Sequence, residues 1–422
     1  MSDSNNELLQ IQRLQFQDRL TAETRLKCYL HLLGMVDIQG LQLNVKPESL
    51  NSMNGLANFD DGSQLFFKTH IEENEKISEY YNSALLAEAC YPVVLPKRVR
   101  TTPGEQIAFY EVVSFPTLFD LTHEEENKPG GSNLALDLVL AQEVLDKKLF
   151  KIYRRTLLGS EEFPKERSPI HQLFYERLDI NGRLGLFYLG KELSLERGAI
   201  PIQDLFAYHW IINGVEYKET IADLINQAGK LLNPEILQPT IIGHGDAHNG
   251  NVFWDEGARE LKYFDAAFAG RHSTILDLTK PLFHNVFAKW MYFPEEVSRD
   301  LELSYSISDK TIEIRHNFIP SSIRVRYLNS KIQNLLQPLL RELALQNQLP
   351  VDWKATLKSA LFCCPLLTVN LAAEYNGTGK LAERYSENIK LLGFAMALEV
   401  GATRVHGTNP IRELCSLFEN LK

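Results

Sequence analysis

The chain has 422 residues, of which 44% are hydrophobic and 23% are charged, and its net charge is −10. This balance is typical of a folded globular protein, and the length allows two lobes around a large core. The acidic charge argues against a nucleic-acid-binding surface, and no apolar stretch is long enough to span a bilayer. The N-terminal residues lack a secretory signal pattern, and the five cysteines show no CxxC spacing. We therefore expect a cytoplasmic protein with no nucleic-acid partner and no membrane insertion.

Residues 1–40 are predicted to form a helical extension, because apolar residues recur there at helical spacing. Leu8 and Ile11 belong to one apolar stripe, and Leu26 and Leu30 belong to a second. We expect this extension to pack on the lobe that follows it rather than to bind a partner.

Residues 41–70 change to a β pattern with two tight-turn signals. Asn54-Gly55 and Asp61-Gly62 stand between β-prone runs, and both dipeptides tolerate the positive φ angles of a hairpin turn. The sequence predicts a three-stranded meander with Asn54-Gly55 in its first turn, where backbone amides could approach a phosphate. The third strand ends on Lys68, whose ammonium group could bind phosphates or simply extend into water.

A helix over residues 77–90 is expected to follow this meander. An ammonium group that binds phosphates from a strand needs a carboxylate to hold it in place. The helix carries two acidic candidates for Lys68, namely Glu79 and Glu88.

Short strands and a connection near residue 115 complete a predicted small lobe at residues 41–115. The remainder, residues 116–422, is predicted to be mainly helical, and one helix opens at Thr220 with a near match to a capping box. Alternating apolar residues predict a hairpin inserted at residues 301–318. The predicted fold class is therefore α+β and bilobal, with a small β-rich N-terminal lobe and a larger, mainly helical C-terminal lobe.

The most informative stretch is residues 241–277. An apolar run leads into HGDAHNGN at residues 244–251, and a hairpin pattern then separates Asn251 from Asp265. Closure of the hairpin would bring Asn251 and Asp265 together, where their oxygens could hold a hard cation, and Asp246 would be left to act as a base. Phosphoryl transfer from a nucleotide needs this set of groups, although turn-capping roles would explain each residue taken alone.

Residues 244–251 resemble the HGDxHxxN catalytic loop of the aminoglycoside phosphotransferase and choline kinase group, within the protein-kinase-like fold. The resemblance implies that Asp246 is the catalytic aspartate and that Asn251 and Asp265 bind Mg²⁺. It also implies that Asp277 is the structural aspartate that braces the catalytic loop.

The same resemblance extends, with recognisable motifs, over about residues 45–300. It implies that Lys68 binds the nucleotide phosphates, and it favours Glu79 over Glu88 as the partner of Lys68. The GxGxxG pattern is absent at Asn54-Gly55, as it often is in this group.

The implied activity is phosphorylation of a small-molecule hydroxyl group with ATP, or another nucleoside triphosphate, and Mg²⁺. His244 and His248 are expected to have structural roles, because Asp246 already supplies the base. A non-catalytic nucleotide-binding module is one alternative, but such a module usually lacks the base or a metal ligand. A protein kinase is the other, and it is disfavoured because HGD replaces HRD and no Ala-Pro-Glu segment follows Asp265.

The acceptor stays open among aminoglycosides, amino alcohols, sugars and similar compounds. Trp290, Tyr292, Glu374 and Tyr375 combine aromatic rings with a carboxylate and could hold an amine. Helix packing explains the aromatic residues equally well.

Overall fold

The computed structural model describes residues 3–45, 52–70, 79–100, 102, 105–128, 133–160, 168–196, 198–375 and 381–421. These residues form two lobes with a cleft between them. The small lobe contains a five-stranded sheet and the large lobe is mainly helical, so the α+β, bilobal prediction is confirmed. Within these residues, no helix combines the length and the apolar character that crossing a membrane requires.

Two helices open the chain and pack on the small lobe. They are α1 (Asp3–Leu14) and α2 (Arg19–Leu32), and Asp18 caps the second by accepting a hydrogen bond from the backbone N–H of Thr21. Their apolar faces share one core with the sheet, because burial there removes aliphatic and aromatic surface from water. This core contains Leu8, Ile11, Leu26, Leu30, Met53, Ala57, Phe67 and Phe109.

The small lobe is built on one antiparallel sheet with the spatial order β1-β2-β3-β5-β4. The strands are β1 (Ile38–Leu43), β2 (Ser52–Phe59), β3 (Gln64–His70), β4 (Arg98–Arg100) and β5 (Ile107–Glu111), and α3 (Glu79–Glu88) lies between β3 and β4 in the chain. The β2–β3 hairpin turns at Asp61-Gly62, and Gly62 has a φ of +83°. The second predicted turn is therefore confirmed.

The first predicted turn is wrong, because Asn54 and Gly55 lie inside β2. Asn54 is opposite Lys68 of β3, and Gly55 also pairs with β1. A Cβ atom on Gly55 would lie 2.0 Å from the backbone oxygen of Gln42, so the glycine permits a close approach of two strands rather than a positive φ. The connection between β1 and β2 includes residues 46–51, which lie outside the described part of the chain.

The large lobe contains most of the helices. They are α4 (Leu118–Glu126), α5 (Asn133–Thr156), α6 (Arg183–Tyr188), α7 (Ile202–Ala207), α8 (Ile221–Leu231), α9 (Leu276–His284), α10 (Lys289–Tyr292), α11 (Pro294–Asp300), α12 (Ser322–Lys331), α13 (Gln337–Leu345), α14 (Trp353–Thr368), α15 (Glu387–Gly401) and α16 (Pro410–Glu419). The centre of the lobe is formed by α14 and α15, and every residue of α15 from 389 to 401 is buried. This buried pair belongs to the main hydrophobic core of the lobe.

The strands of the large lobe are short. They are β6 (Glu192–Leu195), β7 (Gly198–Pro201), β8 (His209–Ile212), β9 (Val215–Tyr217), β10 (Thr240–Gly243), β11 (Val252–Asp255), β12 (Glu260–Tyr263), β13 (Gly270–Ser273), β14 (Leu303–Ser308), β15 (Thr311–His316) and β16 (Arg404–His406). The predicted hairpin at residues 301–318 is formed by β14 and β15, and its turn residues Asp309 and Lys310 both have positive φ angles. Because β15 also pairs in parallel with β8, the hairpin belongs to a five-stranded sheet that the sequence pattern did not predict.

Candidate active site in the cleft between the lobes

Two antiparallel strand pairs bring the motif residues together. The strand β10 pairs with β13, and β11 pairs with β12, so the predicted hairpin is confirmed. The chain passes from β10 to β11 through residues 244–251 and from β12 to β13 through residues 264–269. These two connections lie side by side, and the backbone N–H of Phe264 donates to the carbonyl of Asn251 at 3.0 Å. Asn251 and Asp265 therefore stand at the two ends of one hairpin.

Asp277 fixes the backbone immediately before Asp246. Its carboxylate accepts a hydrogen bond from the N–H of Gly245 at 2.6 Å and another from the hydroxyl group of Tyr153. Gly245 has a φ of +80°, and a Cβ atom there would lie 2.3 Å from the carbonyl oxygen of Phe268, so this turn requires glycine. The contacts are those of a residue that braces the loop.

The two histidines of the loop make contacts that hold the backbone. His244 is fully buried, and its Nε2 lies 2.9 Å from the carbonyl oxygen of Phe264. His248 accepts a hydrogen bond on Nδ1 from the N–H of Gly250 at 3.1 Å. Burial lowers the pKa of His248, which keeps the ring neutral at neutral pH. Both histidines thus hold the loop in position.

The Asp246 carboxylate is partly exposed, and its Oδ1 accepts no hydrogen bond from the described residues. The Nζ atom of Lys280 lies 3.8 Å from this oxygen. Burial alone would raise the pKa of Asp246, but the nearby cations outweigh it, and Lys280 acts most strongly among them. The pKa of Asp246 therefore lies well below its usual value, and the group is ionised at neutral pH.

Sequence reasoning missed Lys280. The residue lies in α9, where its side chain is 5% exposed. It follows Asp277 by three residues, which places the two on the same side of the helix. A lysine within the mostly apolar run at residues 275–283 is the signal that could have found it, because lysine is rarely buried without a partner.

Asp265 contacts Lys68 across the cleft. The Lys68 ammonium and Asp265 Oδ1 form an ion pair that joins β3 of the small lobe to a connection of the large lobe. Asp265 has a φ of +57°, a left-handed conformation that is uncommon in residues other than glycine and often occurs at functional sites. Asn251 Nδ2 donates to the carbonyl oxygen of Asp246 at 2.9 Å, so the amide is oriented by its nitrogen and its Oδ1 can serve as a ligand.

Glu79 is the partner that the resemblance implies for Lys68. It begins α3, but its side chain lies outside the described part of the chain. Among the described residues Lys68 forms an ion pair with Asp265, and the pairing with Glu79 stays a prediction.

A cavity of about 560 Å³ lies between the lobes, a size that suits a nucleotide. It is lined by Asn44, Asn54, Phe66, Lys68, Val94 and Tyr110 from the small lobe and by Asn251, Phe253, Phe264 and Asp265 from the large lobe. The rings of Phe253 and Phe264 are stacked with centroids 4.0 Å apart and form an apolar wall. Asn54 reaches the cavity from a strand rather than from a turn, and Gly55 does not line it.

The oxygen atoms at this cavity suit a hard cation bound together with an anionic ligand. Asn251 offers an amide oxygen and Asp265 a carboxylate, which are ligand types that Mg²⁺ prefers. Within the described residues, no three His, Cys, Asp or Glu side chains form a group that could hold a metal by themselves. A metal held by Asn251 and Asp265 would therefore complete its shell with phosphate oxygens and water, as Mg²⁺ commonly does.

The residues proposed from sequence to hold an amine do not form one pocket. Trp290 is fully buried and packs edge-on against Tyr385, so it belongs to the core and is not available to a ligand. The hydroxyl group of Tyr292 lies 2.8 Å from His284 Nδ1. Glu374 and Tyr375 line a different cavity, of about 1290 Å³.

No protein-family model matches the chain, and no curated protein sequence matches it. Among solved structures, the chain is similar to a macrolide 2'-phosphotransferase from Brachybacterium faecium, with 12% identity, a TM-score of 0.37, and coverage of 81% of this chain and 90% of that one. It is also similar to an ethanolamine kinase from Plasmodium vivax, with 10% identity, a TM-score of 0.36, and coverage of 92% and 83%. A type I macrolide 2'-phosphotransferase shows 13% identity, a TM-score of 0.31, and coverage of 78% and 94%. All three neighbours are named as phosphotransferases or kinases.

Proposed function

We propose that this chain is an ATP- and Mg²⁺-dependent phosphotransferase that transfers a phosphoryl group to a hydroxyl group of a small molecule. The observation that carries this proposal is the ion pair between Lys68 and Asp265 across the cleft, with Asn251 and Asp246 on the adjoining connection. The pair places a cation from one lobe and an anion from the other at the wall of a nucleotide-sized cavity.

Nucleotide binding would use both walls of the cavity. The apolar side chains of Phe66, Val94 and Tyr110 above, and of Phe253 and Phe264 below, suit the faces of a purine ring. Residues of the connection between the lobes line the same cavity, and their backbone groups could pair with the edge of the base.

The phosphates would lie at the polar end of the cavity. Lys68 would bind phosphate oxygens through its ammonium group, and Asn251 and Asp265 would supply oxygen ligands for Mg²⁺. When bound, Mg²⁺ neutralises charge on the phosphates. A left-handed backbone at Asp265 and the amide contact of Asn251 hold the two ligands in place before the nucleotide arrives.

Asp246 would orient the acceptor hydroxyl and accept its proton. Its low pKa makes it a weak base, so its first task is to position the oxygen for attack. Proton transfer then follows as the new bond forms and the hydroxyl becomes acidic. Late proton transfer is compatible with a loose transition state, because positioning and electrostatic stabilisation supply most of the rate enhancement.

The test is acceptor-stimulated release of ADP by the purified chain. The panel contains amino alcohols, aminoglycosides, sugars, hydroxy acids, nucleosides and a peptide library, each with ATP and with or without Mg²⁺. We expect turnover that requires Mg²⁺, favours a small molecule over peptides, and falls on the order of 10²–10⁴ in Asp246→Asn. Preferred labelling of peptides would support a protein kinase instead.

Asp255→Asn is the matched control for Asp246→Asn. Asp255 follows the same loop in the chain, where it pairs with Lys262 and caps the turn through Ala258, and it does not line the cavity. Binding of Mg·ATP without turnover of any acceptor would support a non-catalytic module and contradict the proposal.

A further inference from the structure

Lys280 is a buried cation beside the proposed base. Its residue exposure is 4%, and its Nζ lies 3.8 Å from Asp246 Oδ1. Burying an ammonium group costs several kcal/mol unless nearby groups compensate for the lost hydration. The carboxylate of Asp246 compensates for the charge, but at this distance it accepts no hydrogen bond from the lysine.

The hydrogen-bonding capacity of Lys280 is only partly used. An ammonium group has three donors and no acceptor. Its one hydrogen bond to the described residues goes to His284 Nε2 at 3.4 Å. Because Nε2 must then accept, His284 carries its proton on Nδ1 and donates it to the hydroxyl oxygen of Tyr292, 2.8 Å away. The hydrogen bond to Tyr292 thereby holds the His284 ring in the orientation that accepts from Lys280. Two N–H donors of Lys280 remain for another acceptor.

Charged groups of both signs surround Lys280. Asp246 is the carboxylate that acts on it, whereas Arg177 and Arg183 act on it as like charges. Burial lowers the pKa of His284 well below its usual value, so this ring adds no compensating or opposing charge at neutral pH. An amine placed beside Asp246 would therefore face several positive charges, and like charges at a binding surface are costly.

We propose that Lys280 anchors an oxyanion of the acceptor, so that the acceptor is a hydroxy compound bearing a carboxylate or phosphate group near the hydroxyl that Asp246 orients. This inference rests on the proposed phosphotransferase function. The side chains of Asp246 and His248 are 19% and 22% exposed, so solvent reaches the carboxylate beside Lys280. The oxyanion would use the two remaining donors of Lys280, and charge-assisted hydrogen bonds of this kind are among the strong ones.

The experiment compares four acceptors with one carbon skeleton and different charge: 3-amino-1,2-propanediol, glycerol, glycerate and glycerol phosphate. Turnover is measured as ADP release with Mg·ATP, and acceptor binding is measured by calorimetry with a non-hydrolysable ATP analogue and Mg²⁺. We expect glycerate or glycerol phosphate to exceed glycerol and the amine about 10–100-fold in kcat/KM or in affinity, the scale of one charged hydrogen bond. The two anionic probes distinguish a carboxylate subsite from a phosphate subsite.

Lys280→Met separates an anchor from a residue that only balances the charge of Asp246. An anchor predicts that KM for the anionic acceptor rises about 10–100-fold more than KM for glycerol, beyond any change in kcat that the two acceptors share. Charge balance alone predicts the same change for every acceptor with no selective rise in KM for the anionic one, and that result would overturn the inference. Lys280→Arg should restore much of the preference, because it keeps the charge and the donors.

Lys289→Met is the control variant, because Lys289 lies 3.8 Å from Glu126 rather than from Asp246. Thermal unfolding confirms that each variant is folded. If Lys280→Met does not fold, the ranking of the four acceptors in the wild type and in Lys280→Arg decides the question. Preference for the amine or for glycerol, or equally weak binding of all four, overturns the inference. Loss of Mg²⁺-dependent turnover with every acceptor, including those of the wider panel, would instead contradict the phosphotransferase function itself.

Discussion

Asp246 lies in the connection between β10 and β11, and Asp265 lies in the connection between β12 and β13. The two connections are adjacent, yet the surroundings of the two carboxylates differ. Asp265 receives its counter-charge from Lys68 in the other lobe, across the cleft. Asp246 receives its counter-charge from Lys280 in its own lobe, and its Oδ1 accepts no hydrogen bond from the described residues. The partner of Asp265 thus depends on how the two lobes meet, whereas the surroundings of Asp246 are fixed within one lobe.

Under the proposed function, this difference would give two similar carboxylates different tasks. The carboxylate at the lobe boundary would exchange a lysine for a metal and phosphates when a nucleotide binds. The carboxylate inside one lobe would keep its charge and orientation while the nucleotide binds and leaves. The four predictions below test that division, from the largest expected effect to the smallest.

The first prediction concerns catalysis without binding. Asp246→Asn removes the base but leaves the nucleotide cavity unchanged, so we expect kcat to fall on the order of 10²–10⁴ while Mg·ATP affinity stays near the wild-type value. Steady-state rates and calorimetric titration measure the two quantities. Loss of metal binding in this variant would show that the roles of Asp246 and Asp265 are reversed.

The second prediction concerns the metal. Asp265→Asn replaces a charged oxygen ligand by a neutral one, so Mg²⁺-dependent ATP affinity should fall roughly 10–100-fold. Calorimetry with ATP at several Mg²⁺ concentrations measures the loss. Asp309→Asn is the control, because Asp309 also has a positive φ but lies in the β14–β15 turn. An unchanged Mg²⁺ dependence in Asp265→Asn would remove this residue from the metal site.

The third prediction concerns the cation supplied by the small lobe. Lys68→Ala should weaken ATP binding about 10–100-fold, because it removes a charged hydrogen-bond donor at the phosphates. If Glu79 pairs with Lys68 as the resemblance implies, Glu79→Gln should have a milder effect of the same sign. Lys27→Ala is the control, because this small-lobe lysine donates to the carbonyl of Gln39. Equal ATP affinity in wild type and Lys68→Ala would contradict the assignment.

The fourth prediction is a change that should affect neither aspartate. Thr220 caps α8 by accepting from the N–H of Asp223 at 3.1 Å, and Asp223 accepts from the N–H of Thr220 at 3.0 Å. Thr220→Ala should lower the free energy of unfolding by about 1 kcal/mol, which is typical for loss of a helix cap. Denaturant unfolding measures the loss, and ATP affinity and kcat should not change. A change in either would mean that α8 influences the cleft.

Local features of the site could be predicted from the sequence. The β11–β12 hairpin, the Asp61-Gly62 turn and the capping box at Thr220 depend on contacts between residues close in the chain, where backbone preferences decide the outcome. The same reasoning failed at Asn54-Gly55, because these residues lie inside β2, where the neighbouring strand β1 approaches Gly55 too closely for any side chain. At Trp290 the sequence left a ligand-binding role and a core role open, and the complete burial of the side chain shows the core role.

The sequence by itself determined the two lobes and the motif that carries Asp246, Asn251 and Asp265, because periodicity and short spacing are written into neighbouring residues. Only the tertiary structure decided which cation each aspartate meets. Lys68 reaches Asp265, and Lys280 reaches Asp246, through contacts between elements that are not adjacent in the chain. Such contacts depend on how strands and helices pack in three dimensions. The interaction between two charges depends on the distance between them in space, which their separation in the sequence does not give.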